Sequence, residues 1–367
     1  MKKLIFRKFI NDTLVFFTTS LLIMGLIVWT LQAVNYFDFV TEDGHGLKVY
    51  FLYSILSFPK IIHRILPFIF FVSLFYTILN YEFKNELNIF WVNGVSKITF
   101  ANKIIIFSIF LMLFQILIGS YISPMSQYKA RNYLKNSSID FFTTLIKEGK
   151  FINVVKDLTI FIDKKNEDGS YSDIFLDDST KNNSKMIYAK KGILVDNQKQ
   201  KTFRLTDGRV INNDNSKINI FEFDQINFNL KDFSSNTITV PKIQEISTPG
   251  LLSCFFKIET KKFASFRCEK NFLDEIKQEL LKRLYKPIYI PIITILCSFL
   301  IISSKNKINY KKIRNIVFVM IFSLLVFSEA SLRYSILSSL SFYLYLLLPW
   351  IFFIFAYLIF YKNVKNV

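Results

Sequence analysis

Lys103-Ile-Ile-Ile-Phe-Ser-Ile-Phe-Leu-Met-Leu-Phe-Gln-Ile-Leu-Ile-Gly-Ser-Tyr-Ile122 carries no charge after its first residue. A stretch of roughly 20 mostly apolar residues matches the hydrocarbon thickness of a bilayer. Upstream, Thr13 to Asn35 and Ile61 to Tyr81 have the same character. Downstream, residues 125 to 280 contain no such run, and then Ile288 to Ser304, Ile313 to Ala330 and Phe342 to Tyr361 supply three more. The chain therefore reads as a membrane protein with three spans, a long polar insert, and three further spans.

Composition agrees. The 367 residues are 51% hydrophobic with a formal charge of +18, and the mean hydropathy is +0.32. From Asp140 to Glu245 there are 16 Lys/Arg and 16 Asp/Glu, so the insert is neutral and the basic excess flanks the spans. That distribution argues for lipid headgroups and topology, and against nucleic acid, which calls for a basic patch on the polar domain. Cys254, Cys268 and Cys297 have no metal-ligand spacing. Three free thiols are expected, with Cys254 and Cys268 able to pair only if both face an oxidising compartment. The N-terminal run lacks a small-residue cleavage site before Trp29 and Gln32, which reads as a retained anchor.

Lys2, Lys3, Arg7 and Lys8 precede the first span, and Lys305, Lys307, Lys311, Lys312 and Arg314 follow the fourth. The positive-inside rule puts both groups in the cytoplasm, together with Lys84, Lys97 and Lys103 and with Lys362 and Lys365. Both termini are then cytoplasmic, and the insert lies outside with the acidic loop at Asp38, Glu42 and Asp43. Within the insert, Leu158-Thr-Ile-Phe-Ile162, Lys201-Thr-Phe-Arg-Leu205 and Ile218-Asn-Ile-Phe-Glu-Phe223 alternate at period two. Asn166 to Gly169, Asp177-Asp178, Asp196-Asn197, Asp207-Gly208 and Asn212 to Asp214 mark turns, which suits a sandwich, jelly roll or open barrel.

Between spans two and three, residues 82 to about 93 have helical patterning ending at Asn93-Gly94. Phe83, Leu87, Phe90 and Trp91 form an apolar stripe, and Glu86, Ile89 and Asn93 share a second face. Such a helix lies in the lipid interface or docks on a cytoplasmic partner. Glu329 and Arg333, spaced i, i+4, are expected to pair. His45 reads as a loop residue, His63 as an interfacial one, and Pro67 as a kink in span two.

Leu79-Asn-Tyr-Glu-Phe-Lys-Asn-Glu-Leu-Asn-Ile-Phe-Trp-Val-Asn-Gly-Val-Ser96 resembles the coupling-helix signature of the lipopolysaccharide export permeases LptF and LptG. The resemblance continues through Phe58 to Pro67, Ser123-Pro124-Met-Ser126, Lys147 to Phe151 with Leu158 to Phe161, and Glu279-Leu-Leu-Lys-Arg283 to Pro287. It covers nearly the whole chain and looks more like LptF than LptG. Bulky Trp91-Val92-Asn93 departs from the usual small residues before the glycine.

The resemblance implies six transmembrane helices, three plus three, with an inserted periplasmic β-jelly-roll domain in the bacterial inner membrane. The expected boundaries are 1–124 for the first membrane half, 125–280 for the insert and its connections, and 281–367 for the second half. Implied partners are an LptG-like permease, two LptB-like ATPases, an LptC-like bridge protein and lipopolysaccharide. Glu86, with Leu87, Phe90, Trp91 and Gly94, would meet the ATPase. The chain has no G-x-x-x-x-G-K-[ST] phosphate loop, so the energy is expected from a partner or an ion gradient.

Lys60, Arg64, Arg283 and Lys286 sit on the outer side against the positive-inside trend. They are expected to hold lipid phosphates or to snorkel to headgroups. Arg283, which lies in the family-like motif, is the foremost of them. No metal or other cofactor is expected. The competing readings are a mechanotransmitting permease of another type, or a sensor or assembly scaffold with an outer β domain.

Overall fold

The computed structural model describes residues 2–37, 40, 46–137, 148–155, 158–166, 168–180, 183–197, 200–214, 217–229, 242–256, 272–305, 309–336 and 338–365. Asp38, Glu42, Asp43, His45, Glu167, Cys268 and Lys307 lie outside them. Among the described residues, six helical stretches are long and apolar enough to cross a membrane: Lys2–Tyr36, Leu47–Phe83, Lys97–Leu134, Leu273–Ile301, Tyr310–Tyr334 and Leu340–Lys365. Five of them contain a run expected from sequence, and the fourth holds its run as far as Ile301.

By internal contacts the chain forms two units, Met1–Gln32 with Leu56–Tyr128 and Lys242–Val367, and Ala33–Ile55 with Lys129–Pro241. The described residues between 242 and 280, expected as connections of the insert, thus group with the helices.

In the helical unit, α1 (Lys2–Tyr36), α3 (Phe58–Phe83), α4 (Glu86–Val92) and α5 (Lys97–Leu117) come from the first half. A short helix, α2 (Leu47–Leu56), which apart from its last residue is counted with the other unit, precedes α3 in the chain. A π-turn at Ile118–Ile122 joins α5 to α6 (Ser123–Ser137). After the insert come α7 (Thr248–Phe255), α8 (Leu273–Leu280), a π-turn at Leu281–Tyr285, α9 (Tyr289–Ser298), α10 (Tyr310–Tyr334) and α11 (Ser339–Lys365).

Leu66, Phe70 and Leu74 of α3 and Ile290, Ile293 and Cys297 of α9 are buried at the centre. Leu22, Leu26 and Leu31 of α1, Val319 and Val326 of α10, and Ile351 and Phe355 of α11 face outward. Water would penalise so much exposed apolar surface, whereas hydrocarbon accepts it. α3 runs on through Pro67, which is buried within it.

The loops expected in the cytoplasm meet one another. Lys2 Nζ donates to the Gly94 carbonyl at 3.1 Å, and Lys97 Nζ to that of Ile302 at 3.1 Å. The Lys305 backbone N–H donates to Glu82 Oε1 at 2.7 Å, and Tyr357 Oη to Asn102 Oδ1 at 3.2 Å. The N-terminus, the α3–α5 link, the α9–α10 loop and the end of α11 therefore share one end of the helical unit.

The other unit carries β1 (Lys150–Val155), β2 (Leu158–Lys165), β3 (Tyr171–Thr180), β4 (Asn183–Asn197), β5 (Gln200–Asp214) and β6 (Lys217–Asn229). They form one antiparallel sheet in the order β1-β2-β3-β4-β5-β6. Every neighbour among the described strands is sequential, so the visible topology is a meander. Ile160, Ile162, Ile174, Leu176, Ile187, Ala189, Phe203 and Leu205 alternate onto one buried face.

The ladder skips Asp163, Asp173, Lys190, Asp207 and Asp224 at one level across β2 to β6. There Asp173 and Asp207 take φ of 50° and 55°, and Lys190 Nζ reaches Asp207 Oδ2 at 2.8 Å. A charged crease crosses the sheet at that level. Beside it, a Cβ on Gly208 would fall 2.2 Å from the Tyr188 carbonyl, so only glycine fits.

Candidate functional site

The short helix α4 is punctuated at both ends by local sequence. Asn85 precedes it at φ 60°, a left-handed conformation that asparagine tolerates, and this turn separates α4 from α3. At its far end the Val95 N–H bonds to the Phe90 carbonyl and the Gly94 N–H to that of Trp91, each at 3.0 Å. With Gly94 at φ 70° this is a Schellman stop, and buried Val95 supplies the accompanying apolar contact. Ser96 then caps α5 by accepting from the Thr99 N–H at 3.1 Å.

The apolar stripe of α4 faces its own protein. Phe90 is 0% exposed and Leu87 is buried. Phe90 packs edge-on against Phe6 and Phe100, with ring centroids 5.1 and 5.0 Å apart, and Phe9 touches Phe90, Phe100 and Tyr81. Lys103 Nζ lies 4.0 Å from the centroid of the Phe6 ring. Trp91 is half-buried against Phe100, and Gly94 is exposed.

This corrects the expectation that Leu87 and Phe90 contact a partner, because both are buried in the helical core and the first turns of α1 cover Phe90. The outward edge is Asn85, Asn88, Ile89 at 48% exposure and Val92 at 86%. Glu86 pairs with Lys8, at 3.5 Å, and not with nearby Lys84.

At the other end of the helical unit, Arg283 is 1% exposed. Its Nε donates to Glu279 Oε1 at 2.9 Å, Nη1 to the Ile246 carbonyl at 2.9 Å and Thr248 Oγ1 at 3.1 Å, and Nη2 to the Gln244 carbonyl at 2.9 Å. A guanidinium so enclosed is not displayed to a phosphate, and Arg283 leaves the set of expected ligands. Thr248 Oγ1 also donates to the Ser120 carbonyl, at 2.7 Å, in the π-turn of the third span.

The expected Glu329–Arg333 pair gives way to another. Glu329 binds Lys286 of the neighbouring span, and Arg333 is exposed one turn further on. Lys282 pairs with Glu279 at 3.5 Å. Lys60 and Arg64, one turn apart on α3, have no carboxylate partner among the described residues, and Lys60 feels the charges of Arg64, Lys282, Glu279 and Lys242. Lys60, Arg64, Lys242, Lys282 and Lys286 thus gather around two carboxylates, Glu279 and Glu329.

His63 is buried rather than interfacial, with its ring against Gly119 and its carbonyl accepting from Gln115 Nε2 at 3.1 Å. Cys254 is disulfide-bonded, against the expectation of three free thiols, while Cys297 is a buried free thiol. Among the described residues no group of His, Cys, Asp and Glu suits a metal ion.

Sequence reading missed Phe6, Phe9 and Lys8 as anchors of α4, and Lys242 in the basic cluster. These contacts join positions far apart in the chain, and no local spacing announces them.

The family described as "Lipopolysaccharide export system permease LptF/LptG" matches residues 7–363. The uncharacterized protein RP871 of Rickettsia prowazekii (strain Madrid E) is 25% identical over 237 residues, 64% of this chain and 66% of its own length. The chain thus spans just under two thirds of that curated relative.

Proposed function

Because the chain belongs to the lipopolysaccharide export system permease family LptF/LptG, we propose that it is the LptF-like half of an inner-membrane export permease. In this reading it takes lipopolysaccharide from the outer leaflet and passes it toward a periplasmic bridge. A separate cytoplasmic ATPase supplies the energy, and an LptG-like subunit completes the cavity.

The observation that carries the reading is the pair Lys60 and Arg64, which lack a carboxylate partner among the described residues while Lys282 and Lys286 beside them are paired. An unpaired cation at a membrane surface seeks an anion. Phosphate provides one, held bidentately by arginine and as a point charge by lysine. At the opposite end, α4 presents Asn88, Ile89 and Val92 outward. A small exposed apolar edge on a helix clamped from behind suits docking into a groove on the ATPase.

Orientation has its own support. Cys254 is disulfide-bonded, and disulfides persist in oxidising compartments, which supports a periplasmic side for α7. The loops at the opposite end carry the basic residues that the positive-inside rule assigns to the cytoplasm.

Gentle-detergent purification followed by intact-complex mass measurement tests the proposal. The expected species holds this chain, a related permease, two ATPase subunits and lipopolysaccharide. A homodimer of this chain with no ATPase and no lipopolysaccharide would overturn it.

A further inference from the structure

Arg283 sits where a lipid-binding cation is wanted, yet its guanidinium is spent on protein. Three of its four bonds go to the chain returning from the insert, at Gln244, Ile246 and Thr248. The fourth goes to Glu279, which also holds Lys282. Thr248 extends the tie to Ser120. The returning chain is thereby fastened to spans three and four at their two π-turns, Ile118–Ile122 and Leu281–Tyr285. π-Turns inside helices gather at functional sites.

Directly before the fastened stretch is Lys242. It is exposed, its backbone N–H donates to Glu245 Oε2 at 3.1 Å, and its charge acts on Lys60. A free chain would let a lysine side chain wander through a wide volume; a pinned one confines it.

We infer that Arg283 is a positioning residue, which ties residues 244 to 248 onto spans three and four and so sets Lys242 beside Lys60, Arg64 and Lys282 as a further ligand for an anionic lipid phosphate. The inference rests on the export reading for its ligand and goes beyond it in assigning Lys242 as a ligand and Arg283 as its support. It also accounts for the neutralised Glu279: Arg283 carries that carboxylate, leaving the net charge of the cluster positive.

The test uses the full-length chain in its purified permease complex, with binding measured to vesicles containing lipopolysaccharide and, separately, phosphatidylglycerol. Loss of one charge-assisted contact lowers affinity on the order of tenfold. Lys242→Gln should do this without shifting the melting temperature, and should flatten the salt dependence of binding, which a merely structural residue would not alter.

Arg283→Gln should weaken binding similarly, and the double variant should be no weaker than Arg283→Gln alone. Thr248→Val, which removes one acceptor of the same tie, serves if Arg283→Gln does not fold. Wild-type affinity in Lys242→Gln, or full additivity in the double variant, overturns the inference. Equal, Lys242-dependent binding to both vesicles upholds the anion site while rejecting lipopolysaccharide as its particular ligand. No binding of the wild-type complex to either vesicle overturns both.

Discussion

The imidazole of His63 occupies the space that a side chain at Gly119 would need: a Cβ there would lie 2.4 Å from His63 Cε1. Gly119 belongs to the π-turn of the third span, and Gln115, one turn earlier, donates to the His63 carbonyl. Small residues let membrane helices approach closely, and a helix-to-helix hydrogen bond reinforces the contact.

Gly119→Ala therefore forces the ring to move. Overpacking of this kind costs about 1–3 kcal/mol, and the melting temperature in detergent should fall accordingly. Adding His63→Ala should recover most of the loss. An unchanged melting temperature in Gly119→Ala alone would contradict the packing described.

Phe90 and Val92 stand two residues apart on α4 and should behave oppositely. Phe90→Ala empties a site enclosed by Phe6, Phe9 and Phe100, at a cost of about 3–5 kcal/mol. Val92→Asp is a surface change, expected within about 0.5 kcal/mol of wild type. On the proposed function it nonetheless abolishes copurification of the ATPase, because it places a charge on the exposed apolar edge. Thermal melting and pull-down of each variant separate the two effects; normal ATPase association of Val92→Asp would move the docking surface elsewhere.

The two residues also show what sequence can convey. Periodicity located α4, its stop at Gly94, and the fact that one face is apolar. It could not say what covers that face, because Phe6 and Phe9 are hidden behind Lys2, Lys3, Arg7 and Lys8 in a segment that reads as a basic leader to the first span. The spans and the alternating strands were legible for the same reason: lipid and a sheet core each impose a local, repeating pattern. The basic cluster was legible only as composition. Whether a cation is displayed or enclosed depends on its partners, and Arg283 finds those at residues 244 to 248, some 35 to 39 positions away. A local spacing also misled, since Glu329 bonds across to Lys286 on another span and not along its own helix to Arg333.

Lys8 and Glu86 supply a sharper test of the coupling role. Their contact is long and partly exposed, and pairs of that kind contribute below about 1 kcal/mol. Glu86→Ala should leave folding unchanged and weaken ATPase association. The charge-swapped Lys8→Glu/Glu86→Lys variant restores the internal pair. If Glu86 acts through the partner, the swap stays defective in pull-down and in transport; recovery of both would assign Glu86 to fixing α4 against α1.

Cys254 reports on which side of the membrane α7 lies. After denaturation without reductant, maleimide should modify the tryptic peptide carrying Cys297, freed from its buried position in α9, and leave the one carrying Cys254 unmodified. Reduction before labelling should expose Cys254. Expression in cells that lack periplasmic thiol oxidation should give the reduced form directly and lower the melting temperature, since removing a native disulfide costs about 2–5 kcal/mol in small secreted domains. Cytosolic thiols are kept reduced, so the bond supports the proposed orientation, with the end of the helical unit bearing α7 and Arg283 facing outward. Ready labelling of Cys254 in the unreduced protein from normal cells would remove that support and reopen the assignment of α4 to the cytoplasmic side.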